Sequence, residues 1–147
     1  MNNKKKTLKW ALLIIWMIII FAFSQLPGDV SDEQSHAVIY IFNLLGLSLD
    51  SFFGDLANFA VRKASHFSEY FILFLLALNL TKTYFNKWKS RNIALLVVFL
   101  YACSDEFHQI FIPGRTAAFR DVLIDTCGGL LAYLVSTLIS KRRKANN

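Results

Sequence analysis

Four long apolar runs limit what this chain can fold into more than any other feature. LKWALLIIWMIIIFAFS starts at Leu8, a second run passes from about Val61 through HFSEYFILFLLALNL to Leu80, IALLVVFLYACSDEFHQIF follows Asn92, and DVLIDTCGGLLAYLVSTLIS covers Asp121 to Ser140. Each is close to the roughly 20 residues that a helix needs to cross about 30 Å of hydrocarbon. None alternates apolar and polar residues as a barrel strand does, so helices are the expected spans. With 55% hydrophobic and 18% charged residues and a mean hydropathy of +0.43, the chain is also more apolar than a soluble domain of 147 residues needs to be. The expectation is an all-α, multi-pass membrane protein. Four transmembrane helices, at about 8–26, 61–81, 92–111 and 121–140, form a compact bundle, and residues 1–147 form a single domain without linker or repeat.

The net charge of +6 is not a nucleic-acid signature, because the basic residues flank apolar runs instead of forming a patch interleaved with aromatics. Three clusters hold all but four of the 16 basic residues: Lys4, Lys5, Lys6 and Lys9; Lys82, Lys87, Lys89 and Arg91; Lys141 to Lys144. The other four, Arg62, Lys63, Arg115 and Arg120, share the opposite side with all ten acids, Asp50 among them. The positive-inside rule then puts both termini in the cytoplasm, which requires an even number of spans. The first run is read as a span and not as a cleaved signal peptide, since its removal would leave an odd number. Ser31 to Gln34 has the form of a capping box opening the run that ends at Gly46, which predicts an interfacial helix between the first two spans.

Polar residues gather at one depth. Counting outward from the basic boundaries, Ser24 and Gln25, His66 and Glu69, Asp105, Glu106 and His108, and Asp125 fall within about 10 Å of the outer surface, with Asp121 near it. An ionisable side chain facing lipid there costs about 2.5–3.5 kcal/mol, so these groups should converge on one outward pocket. Helical spacing agrees: His66 and Glu69 are three apart, Asp105 and His108 likewise with Gln109 beside them, and Asp121 and Asp125 are four apart, above Gly128 and Gly129. Pro113-Gly114 suits the centre of a type II turn, which places Arg115 where it can reach back over the pocket.

FAFSQLPGDVSDEQS, VRKASHFSEYFILFLLAL and YACSDEFHQIFIPGRTAAFRDVLIDTCGGLLA together resemble the signature blocks of the VanZ-like family of bacterial membrane proteins. That resemblance implies a place in the bacterial cell membrane and, through the member that names the family, an association with resistance to the glycopeptide teicoplanin. The favoured reading is an enzyme acting on an envelope lipid or lipid-linked cell-wall precursor. In it Glu106, Asp105 or His108 transfers the proton, with Asp121 and Asp125 nearby, while Arg115 and Arg120 hold an anion beside His66, Glu69, Gln109, Ser24 and Gln25. A non-catalytic binder or transporter of an amphiphile, or of a glycopeptide, is the alternative; a polar network that only sets helix register is the other. A divalent metal, zinc, manganese or magnesium, is a further candidate but not the favoured one, because the spacing matches no known ligand motif. Cys103 and Cys127 are read as free thiols, and the oligomeric state is not legible.

Overall fold

The computed structural model describes residues 3–47 and 53–146; Asp50, counted above among the external acids, lies outside the described residues. Among the described residues it contains five α-helices: α1 (Asn3–Ser24), α2 (Gly28–Leu44), α3 (Ala57–Thr81), α4 (Lys87–Gln109) and α5 (Phe119–Ala145). A short 3-10 turn, Gly54–Leu56, leads into α3. No strand occurs among the described residues.

Contacts at the two ends show that α1, α3, α4 and α5 alternate in direction. At one end Lys9 Nζ donates to Asn79 O at 2.9 Å, and Arg91 reaches Ser136 O at 3.1 Å. At the other, Gln109 meets Ser24 at 2.8 Å and His66 faces Asp125 at 3.8 Å. The basic clusters and the acidic residues therefore occupy opposite ends of the bundle. α3 is its centre and packs against all four other helices. Tyr70, Leu73, Phe74 and Ala77 of α3 are buried against Ala94, Val98 and Ala102 of α4 and Ala132 of α5. The outside is apolar too: Leu12, Ile15, Ile18, Leu100, Leu134 and Leu138 are all exposed. Such a surface suits a hydrocarbon surround.

Small residues decide how close α5 comes. A Cβ on Gly128 would collide with the Phe67 carbonyl of α3, and one on Gly129 would meet Val98 of α4. These two glycines seat α5 against both neighbours at once, one turn below Asp125.

Three helices, α1, α3 and the Phe119–Arg143 part of α5, are long and apolar enough to cross a membrane, where the sequence reading expects four spans. The difference is α4, which carries Lys87, Lys89 and Arg91 at one end and Asp105 and Glu106 at the other. Its buried stripe is also made of small or polar residues, Ser90, Ala94, Ala102 and Gln109 among them, so the interior contributes little hydropathy.

α2 departs from expectation at its start. It begins at Gly28, and Ser31 lies one turn inside with its N–H bonded to Pro27 O at 3.0 Å, so Ser31 is no N-cap. A tertiary contact sets the boundary: Gly28 N donates to Pro113 O at 3.2 Å, and a Cβ there would strike Gly114 O. The predicted end is correct. Gly46 has φ +82°, Leu47 N bonds Phe42 O and Gly46 N bonds Asn43 O, a Schellman motif.

Candidate functional site

The acidic end is held together by backbone groups as much as by side chains. The predicted turn is present: Gly114 has φ +72° and Arg115 N bonds Ile112 O at 3.2 Å, as a type II turn with Pro113-Gly114 at its centre requires. The turn sends Arg115 back over α1, where Nε donates to Leu26 O at 3.0 Å and an Nη to Phe23 O at 3.4 Å. One of these carbonyls is in the last turn of α1 and the other just past it, so Arg115 pins the exit of that helix. Burial, with Arg62 close by, pulls the Arg115 pKa below its ordinary value, but a guanidinium remains charged throughout.

Beneath that turn four helices bring their polar groups together. Asp105 of α4 is buried, and Gln109, one turn on, donates to its Oδ2 at 3.2 Å and to Ser24 Oγ of α1 at 2.8 Å. Asp125 of α5 is buried opposite, with His66 Nδ1 of α3 at 3.8 Å from its Oδ1. One potential ligand atom from each of His66, Asp105 and Asp125 lies within 4.8 Å of the other two. Tyr70, one turn after His66, buries its hydroxyl without a hydrogen-bond partner.

A cavity of about 380 Å³ opens beside this cluster. His66, Glu69, Arg62 and Arg115 supply its ionisable lining, while Phe23, Val38 and Val61 make part of it apolar. A second, mostly apolar groove of about 410 Å³ between α2 and α3 shares Val38, Val61 and Ser65 with it and continues to Phe42 and Phe53. Arg62 Nη1 pairs with Asp32 of α2 at 2.7 Å and ties the two helices. Trp16 Nε1 of α1 donates to Glu69 O at 3.0 Å and fixes the third wall.

Not every residue singled out in the sequence converges. Glu106 is buried but accepts from Ala118 N at 3.0 Å, so its carboxylate caps the start of α5. Asp121 pairs with Lys63 at 2.6 Å on the flank. His108 packs its ring against Phe21, centroids 4.9 Å apart, instead of turning to Asp125. Gln25 is exposed while its neighbour Ser24 is buried. Arg120 is also exposed and lies over the Phe59 ring at 5.3 Å, so it takes no part in the cavity. Sequence reasoning passed over Lys63, Arg62 and Tyr70. Spacing carried a signal for two of them, since residues 63, 66 and 70 share one helical face.

Cys103 and Cys127 are free thiols, as expected. No curated protein and no solved structure matches the chain. The model of the VanZ/LLP1 family matches residues 9–140, nearly the whole of it. With membrane-type helices carrying the three sequence blocks that resemble this family, the chain belongs to the VanZ/LLP1 family.

Proposed function

We propose that this protein is a four-span protein of the bacterial cell membrane, with both termini cytoplasmic, that binds the polar head of an envelope lipid or lipid-linked cell-wall precursor from outside and acts on it. The observation that carries this reading is the pairing of the two spaces: a cavity with Arg62, Arg115, His66 and Glu69 on its walls, and next to it an apolar groove that shares Val38 and Val61 with it. That combination matches an amphiphile with an anionic head and a hydrocarbon tail. Arginine suits the head, because its planar fork bonds phosphate or carboxylate in two places. α4 is the fourth span, with Leu96, Phe99 and Leu100 exposed at mid-helix.

Glu69, on the cavity wall, is the proton-transfer group in this reading, with Asp105 close to His66. Glu106 has a structural bond to Ala118 N, and His108 faces Phe21; both stand further from the head group. In cells, changed envelope lipid would alter sensitivity to teicoplanin, the effect the family resemblance suggests.

Native mass spectrometry of the detergent-purified chain tests the binding step, with phosphatidylglycerol and phosphatidylcholine as anionic and zwitterionic probes. The expected result is preferential retention of one phosphatidylglycerol, weakened about tenfold or more in Arg62→Ala, since a charge-assisted hydrogen bond contributes about 1.5–3 kcal/mol. Equal retention of both lipids by both proteins would contradict it. Glu69→Gln separates reaction from recognition: it should keep the lipid but abolish any change in head-group composition and any teicoplanin effect, at normal membrane abundance. A composition that never responds to the wild-type protein would leave the non-catalytic amphiphile binder as the answer.

A further inference from the structure

We infer that His66, Asp105 and Asp125 form a binding site for a divalent transition-metal ion, zinc or manganese, at the floor of the cavity. Three features of the structure converge on this. The first is geometric. Donor atoms of the three residues, each from a different helix, lie within 4.8 Å of one another, and His66 Nδ1 is 3.8 Å from Asp125 Oδ1. Nitrogen and oxygen donors about 2.0–2.2 Å from one ion sit roughly 3.4 Å apart at tetrahedral angles. Side-chain adjustments of an ångström or so would therefore bring the trio onto a common ion.

The second is an excess of bonding capacity with nowhere to go. Asp105 is 3% exposed and Asp125 1%, yet Asp105 Oδ1, Asp125 Oδ2 and His66 Nδ1 all lack a hydrogen-bond partner. Two buried carboxylates also call for positive charge, and the nearby cations are engaged elsewhere. Lys63 pairs with Asp121, Arg62 with Asp32, and Arg115 with the Leu26 and Phe23 carbonyls. Among the described residues no lysine or arginine forms an ion pair with Asp105 or Asp125. A divalent ion would neutralise both carboxylates and satisfy the orphaned atoms together. One imidazole with two carboxylates is a mixed set that suits zinc or manganese better than the all-oxygen ions calcium and magnesium.

The third is support behind the donors. Gln109 Nε2 bridges Ser24 Oγ and Asp105 Oδ2 and so fixes the Asp105 carboxylate with Oδ1 free. Gly128 lets α5 approach the Phe67 carbonyl, next in sequence to His66, and thereby sets the separation between Asp125 and His66. Outer bonds of this kind hold metal ligands in register. His66 also lines the cavity, so an ion at the trio would border the space where the head group is placed.

Metal analysis of the detergent-purified full chain, incubated with Zn²⁺ or Mn²⁺ and then desalted, tests the site without any assay of activity. Wild-type protein should retain close to one ion per chain and unfold at a higher temperature with the ion than after chelation. His66→Ala, Asp105→Asn and Asp125→Asn should each lose the ion, whereas Asp29→Asn, a change in an exposed carboxylate of α2, should not. Gln109→Ala, which leaves all three donors in place, should weaken Mn²⁺ affinity about 10- to 100-fold. Wild-type content well below one per chain, with no thermal shift for either ion, would overturn the inference even if no variant folded. Retention by the trio variants equal to that of wild type would overturn it as well. Metal content is read at His66, Asp105 and Asp125 and phosphatidylglycerol retention at Arg62, so the loss of one reading leaves the other standing.

Discussion

Arg115 shows how one side chain can serve architecture and site together. Its guanidinium bonds Leu26 O and Phe23 O, closes the end of α1, and still forms part of the cavity wall. Lysine keeps the charge but loses the planar fork, so Arg115→Lys is expected to lower stability by about 1–3 kcal/mol as well as weaken lipid retention. Thermal unfolding in detergent would show it as a lower Tm. Glu106 presents the reverse case, since a carboxylate that resembles a proton-transfer group in the sequence is bound to Ala118 N. Sequence spacing placed it near Asp105, as the structure does, but neighbours along a helix point about 100° apart, and only the fold decides which one faces α5's first turn. The same limit explains Ser24 and Gln25, one buried and the other exposed.

Among the helices, α5 depends on its two glycines for different reasons. Ala at 128 would press its Cβ against the Phe67 carbonyl, which is backbone and cannot rotate away; at 129 the neighbour is the Val98 side chain. Gly128→Ala should therefore destabilise by about 1–3 kcal/mol and Gly129→Ala by less, a ranking that chemical or thermal unfolding can check. Helix positions were legible in the sequence because apolar runs and basic flanks mark them directly. The Pro113-Gly114 turn and the Gly46 stop were legible too, because each needs a residue type that the chain supplies. The start of α2 was not: a capping-box pattern at Ser31 competes with the Gly28 contact to Gly114, and the long-range contact prevails. Which histidine meets Asp125 was equally hidden, since His66 and His108 have similar depth and spacing, and packing against Phe21 removes His108. α4 remains the element whose sequence least resembles a span. If it crosses the bilayer, Leu96→Arg, on its exposed mid-helix face, should impair insertion by about 2.5–3.5 kcal/mol, measured as the inserted fraction in a membrane-translation assay. No effect would mean that the position does not face lipid.

At the scale of the whole molecule, the bundle separates its charges. Lysine and arginine clusters hold one end, while the buried aspartates, His66 and the cavity lie at the other. An apolar exterior of Ile15, Leu100 and Leu134 connects the two ends. In the proposed topology the positive-inside rule makes the acidic end external, so that the cavity would take its ligand from that side. Ser65 lies on the wall shared by the cavity and the groove, which makes it the best reporter of this arrangement. The most direct measurement is therefore labelling of Ser65→Cys in cells by a membrane-impermeant thiol reagent, in a background lacking Cys103 and Cys127, with Lys87→Cys as the cytoplasmic reference. The account predicts that position 65 reacts from outside and position 87 only after the membrane is opened; reaction at 87 with protection at 65 would contradict an outward-facing pocket.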